Sequence, residues 1–199
     1  MSVKCLIYCT KSKPYISYDS YDNKIWETDR EYSLNGKIVA QFDCEKVEKF
    51  DVPYPAYFCE VKDKLEHITK GSCLSLLNLH HYMKNQKGYA IHISNLKIFD
   101  NPKQLSDYVY LTCGYEQCSK CKYYYTWGEC VPQEFELEKA PQNMMNVWKK
   151  RNIFTELSER KKEHYVLISI RPEWVAKILT GEKIIEVRRK ILNCLQDLI

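Results

Sequence analysis

The 199 residues are 45% hydrophobic and 28% charged, with only 6 Gly and 7 Pro, which excludes a disordered or low-complexity chain and suits one domain with an insertion or one domain plus a small appendage. The 30 basic and 26 acidic side chains leave a formal charge of +4, which permits an anionic partner without demanding one. No apolar run approaches the roughly 20 residues of a membrane-spanning helix, so no membrane partner is expected. The N-terminal MSVKCLIYCTKSK has no small-residue cleavage site, and a cytoplasmic, reducing setting is expected. There, metal ligation competes well with disulfides for the 10 cysteines.

In chain order, VKCLIYCT (3–10) alternates as a strand, with Cys5, Ile7 and Cys9 opposite Leu6 and Tyr8. The polar, tyrosine-rich run from Lys11 to Ser33 predicts a long loop. Asn35-Gly36 is a turn signal before a strand over 37–44, and two prolines make 52–57 irregular. Residues 60–85 carry a helical pattern interrupted at Gly71. Ser72 is the expected cap of a second helix, with Leu74, Leu77 and His81 facing inward. His80 and His81 divide between inner and outer sides, without a metal partner. YAIHISNLKIF (89–99) predicts one strand ending at Asn101-Pro102, followed by a short helix in KQLSDYV and a strand near 134–137. The charged run 149–164 predicts a helical connector.

The most organised stretch comes nearly last. Tyr165 to Ile170 is an apolar strand, and Pro172 suits a first helical turn. Trp174, Val175, Ile178 and Leu179 share one helical side, and Gly181 supplies the left-handed stop. KIIEVRR then returns as a strand with Glu186 and Arg188 on one face. Arg189 falls on the other, while Lys183 belongs to that other face or to the turn, free to reach the same cleft. Spacing alone leaves two readings: a solvated edge strand or a basic cleft.

SIRPEWVAKILTGEKIIEVRRK resembles the first strand, first helix and second strand of the ASCH domain, a PUA-like β-barrel family with phage and bacterial members. VKCLIYCTK, NGKIVAQFDC, YAIHISNLKIFDNPKQL and KAPQN resemble later strands and the closing loop of the same family. The fold implied is mainly β with flanking helices (α+β), a PUA-like barrel in circularly permuted order. Residues 1–148 form the barrel body, 149–164 the connector, 165–190 the completing strand–helix–strand, and 191–199 a tail. The alternatives are that the terminal segment is a truncated second copy, or is swapped into a neighbouring chain as a dimer.

The resemblance implies RNA or nucleotide binding at a cleft beside the first helix, through Lys183, Arg188, Arg189, Arg171 and His92, with Glu186 orienting the cations. One family branch resembles an acetylcytidine amidohydrolase using Lys, Thr and Glu. Lys183 matches its lysine, but Glu186 stands where the threonine is expected. A hydrolase reading, ribonuclease or amidohydrolase, would place Lys183 and Glu186 in catalytic roles. A third possibility is a phage-encoded protein-interaction module. Separately, Cys113, Cys118, Cys121 and Cys130 form a C-x4-C-x2-C-x8-C array within 113–130 that suits a structural, tetrahedral zinc. Free thiols or later disulfides are the alternative. Tyr123, Tyr124, Tyr125 and Trp127 in that loop could stack bases or cover the metal. The remaining cysteines are expected to act as small apolar residues.

Overall fold

The computed structural model describes residues 2–11, 16–18, 24–26, 34–52, 58–84, 87–111, 134–150 and 163–199. They build an α+β architecture dominated by strands. Alternation in β1 (Val3–Cys9) sends Cys5, Ile7 and Cys9 into one core and Leu6 and Tyr8 into another on the opposite face. β11 (His164–Ile170) repeats the pattern, Val166, Ile168 and Ile170 joining the first core and Tyr165 and Leu167 the second. The two strands run parallel, from Cys5 beside Val166 to Cys9 beside Ile170.

β10 (Met144–Lys149) pairs antiparallel with the other edge of β11. The last large strand of the chain is therefore the central strand of its own seven-stranded sheet, β7-β4-β1-β11-β10-β8-β9. Its other members are β4 (Ile38–Cys44), β7 (Ser94–Lys103), β8 (Tyr108–Leu111) and β9 (Glu134–Glu136). Both faces are covered, so residues 5–9 and 165–170 are all buried. At the far end of the chain, α4 (Asn193–Gln196) buries Leu195 in the first core, so the 191–199 tail is anchored. Leu198 O accepts Val47 N at 3.1 Å, and Val3 pairs with Cys44, which brings the two ends of the chain to one region.

A second sheet, in the order β12-β6-β5, comprises β12 (Ile185–Arg188), β6 (Lys87–His92) and β5 (Val47–Asp51). Val47 and Ile91 meet the first core together with Val175 and Ile178 of α3 (Pro172–Leu179). Burying each such side chain contributes roughly 1.5–3 kcal/mol. The reverse face is covered by α1 (Phe58–Ser72) and α2 (Leu76–Met83), with Leu65, Ile68, Leu79 and Met83 against Ala90, Ile185 and Val187. Among the described residues the two sheets are not joined by strand pairing. No helix among these residues is long and apolar enough to cross a membrane.

Several local expectations are corrected. Gly71 does not interrupt α1. A Cβ there would lie 2.7 Å from Ile185 Cδ1, and Gly71 O accepts Ile184 N at 2.8 Å, so the glycine lets α1 sit directly on the approach to β12. The break falls at Cys73, with φ 57°, and Ser75 rather than Ser72 caps α2, its Oγ accepting from Asn78 N at 3.1 Å. This later start turns Leu79 and Met83 inward, while Leu77 is half exposed and His81 exposed. YAIHISNLKIF is two strands in different sheets, β6 ending at His92 and β7 starting at Ser94. β7 continues through Pro102, which an edge strand tolerates. KQLSDYV yields only a 3-10 turn at Leu105–Asp107. In the expected loop 11–33, β2 (Ile16–Tyr18) and β3 (Lys24–Trp26) form a ribbon. The cysteine array 113–130 and most of the connector, 151–162, lie outside the described residues.

Candidate functional site: a charged cleft between the sheets

The carboxyl ends of the parallel strands β1 and β11 open onto β12, and a cleft of about 520 Å³ lies between them. Thr10 follows β1, and Ser169, Ile170 and Arg171 close β11. Trp174 comes from α3 and Gln142 from the loop before β10, while Leu74, Asn78 and Tyr82 supply the wall along α2. Asn78 and Tyr82 are four residues apart on one side of α2, and Leu74 precedes the Ser75 cap.

The floor is built by Lys183, Glu186 and Arg188. Ile185 and Val187 point into the core against α1 and α2, so alternation turns Glu186 and Arg188 to the other face of β12, where they line the cleft. Gly181, with φ 79°, ends α3, and Lys183 N then bonds Lys177 O at 2.9 Å, which brings the lysine to the same floor. All three charged residues are buried, exposed by only 3%, 7% and 9% respectively, which rules out a water-facing edge strand.

Lys183 Nζ lies 3.3 Å from Glu186 Oε2 and donates to Ser72 O at 3.0 Å. The same ammonium sits 5.2 Å from the centre of the Trp174 ring, and Lys177 reaches that ring at 5.3 Å. Arg188 Nε is 2.8 Å from Glu186 Oε1, an ionic contact off the line of its N–H. Its Nη1 donates to Asn143 Oδ1 at 3.0 Å and its Nη2 to Ser169 O at 2.7 Å. Burial pushes the Lys183 amine below the usual lysine range, against the pull of Glu186. Two cations share one carboxylate, so the floor carries a net positive charge in a poorly solvated place.

The other predicted residues fall in different places. Arg171 lines the cleft with a largely exposed side chain. Arg189 is exposed and lies 5.8 Å from the ring centre of Tyr82, so it meets the cleft wall through that ring rather than the floor. His92 does not line the cleft. It opposes Ile185, one residue out of step with Glu186, so its side chain belongs to the reverse face of the sheet. There its Nε2 contacts Glu48 Oε1 at 2.5 Å, beside Lys46 and His67. Arg188 was expected to grip phosphate, yet its fork is turned onto protein acceptors.

Sequence reasoning missed Ser72, Ser169 and Asn143 as partners of the floor. Two of them act through backbone carbonyls, which no side-chain pattern signals. Asn143 sits in KAPQN, where the resemblance to the closing loop was the available signal. Asn78, Tyr82 and Thr10 were likewise unforeseen. Among the described residues, no group of three or more His, Cys, Asp or Glu side chains could hold a metal. The cysteine array is not among them.

No family model, curated protein or solved structure matches the chain.

Proposed function

We propose that the cleft binds RNA or a nucleotide, as the ASCH-like motif implies. The observation that carries this is the buried Lys183–Glu186–Arg188 floor. Removing an ion from water costs several kcal/mol even after relaxation, so an excess cation at the base of an open cleft favours an anionic or electron-rich ligand. The volume suits a nucleoside-sized group. Tyr82 and Trp174 offer ring surfaces, and exposed Arg171 offers a phosphate contact at the rim. The side-chain amides of Asn78 and Gln142 make no hydrogen bond among the described residues, so they are free to meet the polar edge of a base. The test is a titration with single-stranded RNA at low and moderate salt. Affinity should fall steeply with salt and weaken several-fold in Arg171→Ala and Trp174→Ala, whereas no binding at low salt would refute the proposal.

A hydrolase on the same site is the second reading. It is favoured by the lowered proton affinity of Lys183 beside a carboxylate. It requires turnover of RNA or acetylcytidine that disappears in Lys183→Met, and absence of turnover on both substrates removes it.

On the same resemblance, the fold is proposed to be a permuted PUA-like barrel. Support comes from the C-terminal strand–helix–strand entering the chain's own sheets, and from the nearness of the two chain ends.

A further inference from the structure

A second hollow, of about 590 Å³, adjoins the cleft and shares Thr10 and Gln142 with it. We propose that this hollow is a second nucleotide subsite, so that the ligand is a single-stranded oligonucleotide laid across the Thr10–Gln142 saddle. The inference rests on the nucleotide-binding reading of the first cleft and extends it from a base to a strand.

The hollow has the chemistry of a phosphate-tracking groove. Lys11 and Lys139 line it, with Glu138 as the acidic residue, which leaves one net positive charge. Among the described residues neither ammonium has an ion-pair partner. Lys11 directly follows Thr10, and Lys139 lies three residues before Gln142. Each lysine therefore extends a segment that already lines the first cleft.

The stem of Lys11 lies against Gly36. A Cβ on Gly36 would lie 2.8 Å from Lys11 Cε and 3.3 Å from its Cγ, so the lysine stem runs along the bare glycine backbone. Gly36 has φ 78°, and its N–H bonds Cys9 O at 2.8 Å, which fixes that turn against the end of β1. Single-stranded nucleic acid is commonly held by such a run of cations beside ring platforms, and here the rings stand in the first cleft.

The test compares cytidine monophosphate with a mixed-sequence single-stranded RNA hexamer, on the whole chain and on its Lys11→Glu/Lys139→Glu variant, with circular dichroism as the folding check. The hexamer should lose about tenfold in affinity, and its salt slope should become shallower by about 1.4, the value for two released phosphate contacts on a single strand. Monophosphate binding should stay within about twofold. A hexamer affinity and slope unchanged in the folded variant, with monophosphate still bound, would overturn the second subsite alone. An equal loss for both ligands would assign the lysines to the first cleft and also overturn it. Failure of the unaltered protein to bind either ligand would remove both proposals. If the charge reversal perturbs folding, Lys11→Ala/Lys139→Ala gives the same comparison with a smaller expected loss of about fivefold.

Discussion

Glu186 stands between two buried cations, 3.3 Å from Lys183 and 2.8 Å from Arg188. Its carboxylate is the counter-charge that makes both tolerable. Glu186→Gln should therefore cost about 3 kcal/mol, because it strands two buried charges. Lys183→Met leaves the Glu186–Arg188 contact in place and should cost less, about 1 kcal/mol. Urea unfolding of both variants gives the order. A glutamine variant as stable as the methionine one would show that the carboxylate is not the balancing group.

Because β11 is the central strand and Leu198 binds Val47 near the β1–β4 pairing, chain order should matter less than strand order. A chain with Ile199 linked to Ser2 and opened within 151–162 should fold with thermal stability within a few degrees of the original. A chain ending at Lys150 lacks β11, α3 and β12, and it should aggregate through its unpaired strand edges. Solubility and circular dichroism check both outcomes. A well-folded truncated chain would contradict the sheet order.

On the reverse face, burial works against ionisation of Glu48, but hydrogen bonds from Lys46, His67 and His92 outweigh it and hold the carboxyl at about 2, against an ordinary 4.5. A carboxyl with a lowered folded-state value adds stability that is present above 4.5 and lost as pH falls toward 2. Glu48→Gln should lower stability at neutral pH by roughly 1–2 kcal/mol and flatten the acid limb between about pH 4.5 and 2. Denaturation midpoints at about pH 7 and about pH 3 measure both effects. An unchanged acid limb would detach Glu48 from that behaviour.

The terminal strand–helix–strand was legible because each of its signals is local: alternation in 165–170, Pro172 at the helix start, and Gly181 after its end. The shared face of Glu186 and Arg188 followed from the same alternation, but its burial did not, because β12 is buried on both faces and spacing alone left a solvated edge strand open. What escaped was set by long-range register. The switch from β6 to β7 coincides with a change of apolar parity, from Ile91 and Ile93 to Leu96 and Ile98, but a parity change alone does not show that the two halves join different sheets. His92 shares its parity with Ile185 rather than Glu186, a fact fixed only by the β6–β12 pairing. The cap falls at Ser75 rather than Ser72 because α1 runs on through Gly71 to Ser72, and that continuation is not marked locally at the glycine.

The cysteine spacing carries its own expectation. Four thiolates from Cys113, Cys118, Cys121 and Cys130 should hold about one equivalent of zinc by elemental analysis. Cys118→Ser/Cys121→Ser should lose the metal and lower thermal stability. Metal-free protein of unaltered stability would end the zinc proposal.

Photo-crosslinking of bound single-stranded RNA, with the adducts mapped by mass spectrometry, tests the cleft most directly. Nucleotide adducts on the Trp174 and Tyr82 peptides, competed away by excess nucleotide and lost in Lys183→Met, are the predicted result. Adducts confined to peptides outside the cleft, or unaffected by Lys183→Met, would contradict binding over the Lys183–Glu186–Arg188 floor.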